Sequence, residues 1–254
     1  MHFHLPKPLH GWREFVGEVG IIVIGVLIAL GAEQLIEAIH WHRETEAARA
    51  ALRMEASDNL SAAAQRVQQQ PCIDRRLSEI GSILEDHAAG RPIYVHGNIG
   101  RPVSYYGSTD AWNVEVASQA LSHMPLHEKL AFSTAFSNYE NMNAVLRLEQ
   151  TAWLRLNVLN APDQLETGDW PQLRQAYAEA QSLSDRLQII TGDMVRTETL
   201  GQAPKQLEDQ PAAADAAIKR FCQPILDMSS RKTIARRSRD RVGRGPDDRV
   251  SWAN

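Results

Sequence analysis

Aromatic residues are scarce in this chain, 6% of the whole, and cysteine occurs only twice, as Cys72 and Cys222. Two thiols exclude a small fold stapled by many disulfides, and 254 residues are enough to bury a core without such staples or a structural metal. No repeat recurs at solenoid spacing, which excludes a repeat array. Familiar catalytic fingerprints are missing too: there is no G-x-S-x-G elbow, no H-E-x-x-H, no P-loop and no dinucleotide glycine motif. The expectation is therefore a protein that is not an enzyme and carries no cofactor.

Polar side chains are also absent between positions 19 and 32, inside the stretch GEVGIIVIGVLIALGAEQ. A soluble core helix needs a face for water, and four Ile and three Val here leave none. A secretory signal peptide would use Lys7 and Arg13 as its basic start and Ala29 with Gly31 before the cut, but the helical pattern continues unbroken past the cut. A membrane span fits better. Residues 16–32 make about 26 Å of helix, and Phe15, Leu35, Ile36 and Ile39 extend it toward a hydrocarbon core of about 30 Å. Trp12 and Trp41 would then stand about 44 Å apart, close to the ~40–45 Å between headgroup layers, which makes them membrane-interface anchors. The nine Ile, Leu and Val residues from 19 to 30 contribute roughly -3 to -5 kcal/mol to insertion.

Charge does not orient the span, because Lys7 and Arg13 on one side face Arg43, Arg49 and Arg53 on the other. The cysteines bear on it instead. Cys72 and Cys222 are either two unrelated buried thiols or a disulfide, and a disulfide requires an oxidising compartment. Such a bridge would close a loop of about 150 residues, worth about 5 kcal/mol in the chain-entropy model. On that basis the body is expected outside the cytoplasm, most simply as a periplasmic domain of an inner (cytoplasmic) membrane protein.

The span and its flanks resemble the start of a family of uncharacterised bacterial single-pass membrane proteins. Shared features are a Gly-Glu pair, an aliphatic run with one internal glycine, and an IAL ending, here Gly17, Glu18, Gly25, Ile28, Ala29 and Leu30. The resemblance covers about the first 45 residues. It implies membrane location and an exported helical domain, and no activity.

Ala, Leu, Gln, Glu and Arg dominate the middle of the chain, so the fold class is all-α: a transmembrane helix continuing into a helical bundle. Four regions are expected: a cytoplasmic leader 1–11, the span with its flanks 12–41, the extracytoplasmic helical domain 42–228, and a basic disordered tail 229–254. Residues 231–249 of that tail carry eight Lys/Arg and three Asp, a balance of +5 against -4 for the whole chain. The tail lacks interleaved aromatics, so no nucleic-acid partner is expected, and anionic lipid is the alternative to plain solvation. Within the body, the helix leaving the membrane should break at Pro71 and a second should span residues 73–87. An irregular or hairpin loop should occupy 91–107. Further helices should run from Thr109 or Asp110 to His123 with Trp112, Val116 and Ala120 on one face, and from Pro125 to Asn160 with Leu130, Phe136, Tyr139, Met142, Leu146, Trp153 and Leu156 in the core. The last two should run from Asp169 to about Leu200 and from Ala212 to Met228.

Chemistry-bearing residues read mostly as ordinary. Glu37 and His40 have di-iron spacing but no second such pair, Pro125 separates His123 from His127, and His2, His4 and His10 fall in the leader, so no metal site is expected. Glu115, Glu140 and Asp193 read as solvated helical carboxylates. Gly25, Ala29 and Ala32 form a small-residue stripe where a second span could approach, either by chance or as a homodimer contact. The expected partners are thus the lipid bilayer, a second copy through the span, and an unidentified protein. The expected role is interaction or sensing, with a membrane-tethered enzyme using Tyr94, His96, Tyr105, Tyr106 and Asp110 of the 91–110 loop as the alternative.

Overall fold

The computed structural model describes residues 11–197 and 212–226. The leader before Gly11, the basic tail 229–254 and the helix ends expected at Leu200 and Met228 lie outside the described residues. The described residues form five α-helices, α1 (Gly11–Ala88), α2 (Asp110–Ala117), α3 (Leu126–Leu156), α4 (Asp169–Arg196) and α5 (Ala212–Phe221), and no strand. The 89–109 connection is therefore irregular and not a hairpin. The chain divides into two compact units, one containing residues 11–54 and 110–133, the other residues 55–109, 134–197 and 212–226.

Pro71 does not break the first helix. It sits exposed inside a continuous α1, so the two helices expected over 42–87 are one. One interior proline costs about 3 kcal/mol, and buried side chains on both sides of it, Leu60 and Ala63 before and Ile73, Leu77 and Ile80 after, outweigh that cost.

In the first unit, α1 carries a stretch long and apolar enough to cross a membrane by length and composition, and none of it is buried. Ile21, Ile22 and Ile28 are 74%, 66% and 67% exposed. Further along, Thr45, Ala48 and Leu52 are buried, as are Ala120, Met124 and Phe132. α2 is shorter than the sequence suggests because Ser118 diverts the backbone. Its hydroxyl donates to the Glu115 carbonyl and accepts from the Ala120 N–H, both at 3.1 Å, and a 3-10 turn over Ala120–His123 follows. Of the expected α2 face, Ala120 is buried, Trp112 half-buried and Val116 exposed. Pro125 then opens α3 by accepting from Glu128 and Lys129 N–H, and Leu130 lies on the exposed side instead of in the core.

In the second unit the core joins Ile73, Leu77, Ile80 and Ile83 of α1 to Trp153 and Leu156 of α3 and to Trp170 and Leu173 of α4. α4 buries Leu173, Ala176, Ala180, Ser184, Leu187, Thr191 and Met194, a spacing of three or four residues that keeps one face inward. Small residues let it approach α1 closely: a Cβ at Gly81 would stand 2.6 Å from the Tyr177 hydroxyl. Tyr139 donates its hydroxyl to the Ala56 carbonyl at 3.1 Å, and burial pushes its pKa up to about 12.

The same core holds a charged pair. Arg66 donates to Glu149 at 2.9 Å and to Ser184 at 3.2 Å, with Glu149 fully buried. Burial pushes the Glu149 carboxyl above its ordinary 4.5, and Arg66 opposes that rise without cancelling it. The folded chain thus binds this proton more tightly than the unfolded chain does. Between the ordinary and the raised value, stability falls as pH rises. Glu149→Gln is expected to remove that part of the pH dependence in urea unfolding. Parallel midpoint-against-pH curves for the two proteins would sink the assignment.

Candidate functional site

Three features of the second unit converge on the 89–109 connection. The first is a set of side-chain amides that hold an extended strap. Gln69 accepts from the Val103 N–H and donates to the Val103 carbonyl, both at 3.0 Å. Asn143 does the same for Gly107 at 2.9 and 2.7 Å, and Asn59 for Ser108 at 2.7 and 2.6 Å. Gln150 adds bonds to the Pro102 carbonyl and the Ser104 hydroxyl. Each amide supplies the donor and acceptor pair that a neighbouring strand would give, so the strap satisfies its backbone without a sheet. It runs antiparallel to α1, since Val103 meets Gln69 and Ser108 meets Asn59.

The second feature is a clasp on one stripe of α1. Cys72, Arg75, Arg76 and Glu79 stand at i, i+3, i+4 and i+7, which places them on one helical face. The Cys72 and Cys222 sulfurs lie 2.08 Å apart, at disulfide distance, with the Cα atoms at 4.9 Å. Arg76 is almost fully buried. It donates to the carbonyls of Asn98 at 2.8 Å, Ile99, Phe221 at 2.7 Å and Gln223 at 2.7 Å, and its guanidinium lies 4.9 Å from the centre of the Phe221 ring. Burial pulls its pKa down and Glu79, 3.3 Å away, works against that. Glu79 also accepts from the N–H of Ile225 at 3.0 Å and of Leu226 at 3.4 Å, while Arg75 donates to the Cys222 carbonyl at 3.0 Å. Gly97 and Gly100 take positive φ of 92° and 62°, the backbone bend that aims the Asn98 and Ile99 carbonyls at Arg76.

The third feature is an open cleft of about 640 Å³ at the far end of α1, walled by Ile93, Tyr94, Val95 and His96 on one side and by residues 160–170 on the other. His87 and Trp170 also line it, their rings stacked with centroids 3.6 Å apart. His96 is tied to the clasp, because its N–H donates to the Ile225 carbonyl at 2.8 Å. Arg91 is held by Asp86 at 2.7 Å, and Asp163 and Asn160 complete the polar rim. That volume lies within the range of small-molecule sites.

Compared with family models, curated proteins and solved structures, the chain matches none.

The structure brings Cys72 and Cys222 together, and it gathers Tyr94 and His96, but not Tyr105 or Tyr106, on the cleft. Tyr105 is half-buried, with its pKa raised by burial and then by Asp215, and Tyr106 is exposed. Asp110 opens α2. Glu37 accepts from the Trp41 indole at 3.3 Å, and among the described residues no three His, Cys, Asp or Glu are grouped so that they could hold a metal ion. Glu115 accepts from Ser118, Asp193 is paired with Arg196, and Glu140 is exposed. Gly25, Ala29 and Ala32 are all exposed, and nothing lies within 4 Å of a Cβ placed at Gly25. Trp12 is 77% exposed and Trp41 half-buried. Sequence reading missed the amides and the Arg75, Arg76, Glu79 stripe. The signal was present in the C-x-x-R-R-x-x-E spacing beside the first cysteine, but the carbonyls it serves come from segments 22 to 147 residues away.

Proposed function

We propose that this chain is a single-pass inner-membrane protein whose helical body lies on the periplasmic side and acts as an interaction or sensory module. The carrying observation is the exposed apolar surface of α1 before Ile39, with Ile24 59% and Leu27 62% exposed, which water would not tolerate as a continuous belt. The pairing of Cys72 with Cys222 supports the periplasmic placement, because disulfides persist in oxidising compartments. For the module itself, the clasp and the strap fix the wall of an open cleft, a rigid frame that suits recognition.

Two arginines in the middle of the span test the reading. At about 2.5 to 3.5 kcal/mol each, Ile24→Arg with Leu27→Arg outweighs the whole insertion energy estimated for the apolar run. The doubly substituted chain is expected to leave the membrane pellet, while the unsubstituted chain stays there and its body is cut by protease added outside the inner membrane. A body resistant to external protease in intact spheroplasts would reverse the orientation.

The cleft also favours a second reading, a membrane-tethered enzyme whose polar groups are His96 and Asp163. Substrate profiling of the detergent-solubilised chain should then find a turnover that His96→Ala abolishes. A turnover equal in both proteins would remove the reading.

A further inference from the structure

In the first unit the Ala120–His123 turn is fixed to α1 at one height. The His123 ring stacks on Trp41 with centroids 4.0 Å apart and planes 16° from parallel. Thr45, one turn on, donates to the Trp41 carbonyl at 2.7 Å. Arg49 donates to Glu128 at 2.7 Å and so turns that side of α3 toward α1. Leu126 and Leu130, two residues to either side of Glu128, fall about 200° around the helix, on the face away from α1. They are 67% and 58% exposed, and Val114 and Val116 of α2 are 64% and 56% exposed. A helical side chain leans toward the N-terminus of its own helix, so Leu126 leans toward the turn at the level of Trp41.

We propose that this elbow, the Ala120–His123 turn with the first turn of α3, is a foot that rests on the lipid surface of the bilayer crossed by α1, with Leu126 at the boundary between headgroups and acyl chains. The proposal rests on the membrane reading above, in which Trp41 marks the headgroup layer. A patch fixed to the span at the height of an interfacial tryptophan meets lipid without any loss of translational freedom, because the span holds it there. The neighbouring side chains suit the same surface. Arg43 is exposed and Lys129 half-exposed, cationic groups of the sign that suits lipid phosphates, and the exposed Leu126 supplies the apolar contact. Lipid is favoured over a second copy of the chain because the exposed Leu126 follows three residues after His123, whose ring stacks on Trp41 at the end of the span, where the bilayer is already the neighbour. The foot would fix the tilt of the span and the distance of the adjoining unit-one helices from the membrane.

The test is depth measurement by spin label on the full chain reconstituted in phosphatidylcholine vesicles. Single cysteines are placed at Leu126, at Ile24 in the span and at Leu148, 58% exposed in the other unit. The unsubstituted chain, treated alike, gives the background from Cys72 and Cys222. Collisions with oxygen relative to a water-soluble nickel chelate are expected to be severalfold more frequent at 126 than at 148, and higher still at 24. A ratio at 126 equal to that at 148, with 24 in lipid, overturns the foot and leaves the span standing. Ratios alike at all three positions overturn the span and the foot together. Dipolar broadening at 126 that disappears on dilution with unlabelled chain identifies a second copy on this face, which also overturns the foot.

Discussion

Arg76→Met is expected to lower the unfolding free energy by about 3–5 kcal/mol, the cost of removing one side of a buried charge cluster. Methionine keeps most of the volume and none of the donors. Four carbonyls, at Asn98, Ile99, Phe221 and Gln223, lose their guanidinium partner, and Glu79 keeps a buried charge with only the Ile225 and Leu226 N–H groups against it. The bonds to Ile99 and Phe221 are buried, and each orphaned buried acceptor costs about 1–3 kcal/mol, while the part-buried Asn98 and Gln223 carbonyls can turn to water. Urea unfolding of the full chain in detergent micelles, followed by circular dichroism, reads the change. Arg75→Met is the control, because its single bond to the Cys222 carbonyl is exposed and should contribute below about 1 kcal/mol. Equal losses at positions 75 and 76 would show that the clasp is not centred on Arg76.

The second large effect is expected from Cys72→Ser with Cys222→Ser, a loss of about 2–5 kcal/mol. The bridge joins residues 150 apart in sequence, so its absence frees most of the body in the unfolded chain. Loss of stability should be matched by adding a reductant to the unsubstituted chain, and the doubly substituted chain should then ignore the reductant. A reductant that leaves the urea midpoint unchanged would mean that the sulfurs are not bonded in the purified protein. The two effects should not add. Arg76 and the cysteines hold the same residues 221–226, so once one grip is gone the other restrains a segment already loosened.

How much of this was legible in advance depends on the distance over which each feature acts. The apolar stretch of α1, the start of α3 at Pro125 and the start of α4 at Asp169 with Pro171 are local signals, set by transfer energy and by the fixed φ of proline, and they appear where the pattern places them. Pro71 was equally local and misleading. A helix-breaking rule of a few kcal/mol lost to a core that buries α1 on both sides of the proline, and that core is assembled from α3 and α4. Leu130 failed for a different reason: six and nine residues from Phe136 and Tyr139, it stands about 120° and 180° from them around α3, so the face that buries those two leaves Leu130 outward.

The sequence by itself determined that the described chain is helical, that one segment is apolar enough for a bilayer, and that two cysteines were available to pair, because composition and short-range periodicity govern all three. Only the tertiary structure decided that α1 runs through Pro71, that Asn59, Gln69 and Asn143 stand in for a missing strand, and that Cys72, Arg75, Arg76 and Glu79 grip residues 221–226. A buried amide or guanidinium is stable only where its partners are, and those partners reach it through folding from up to 147 residues away.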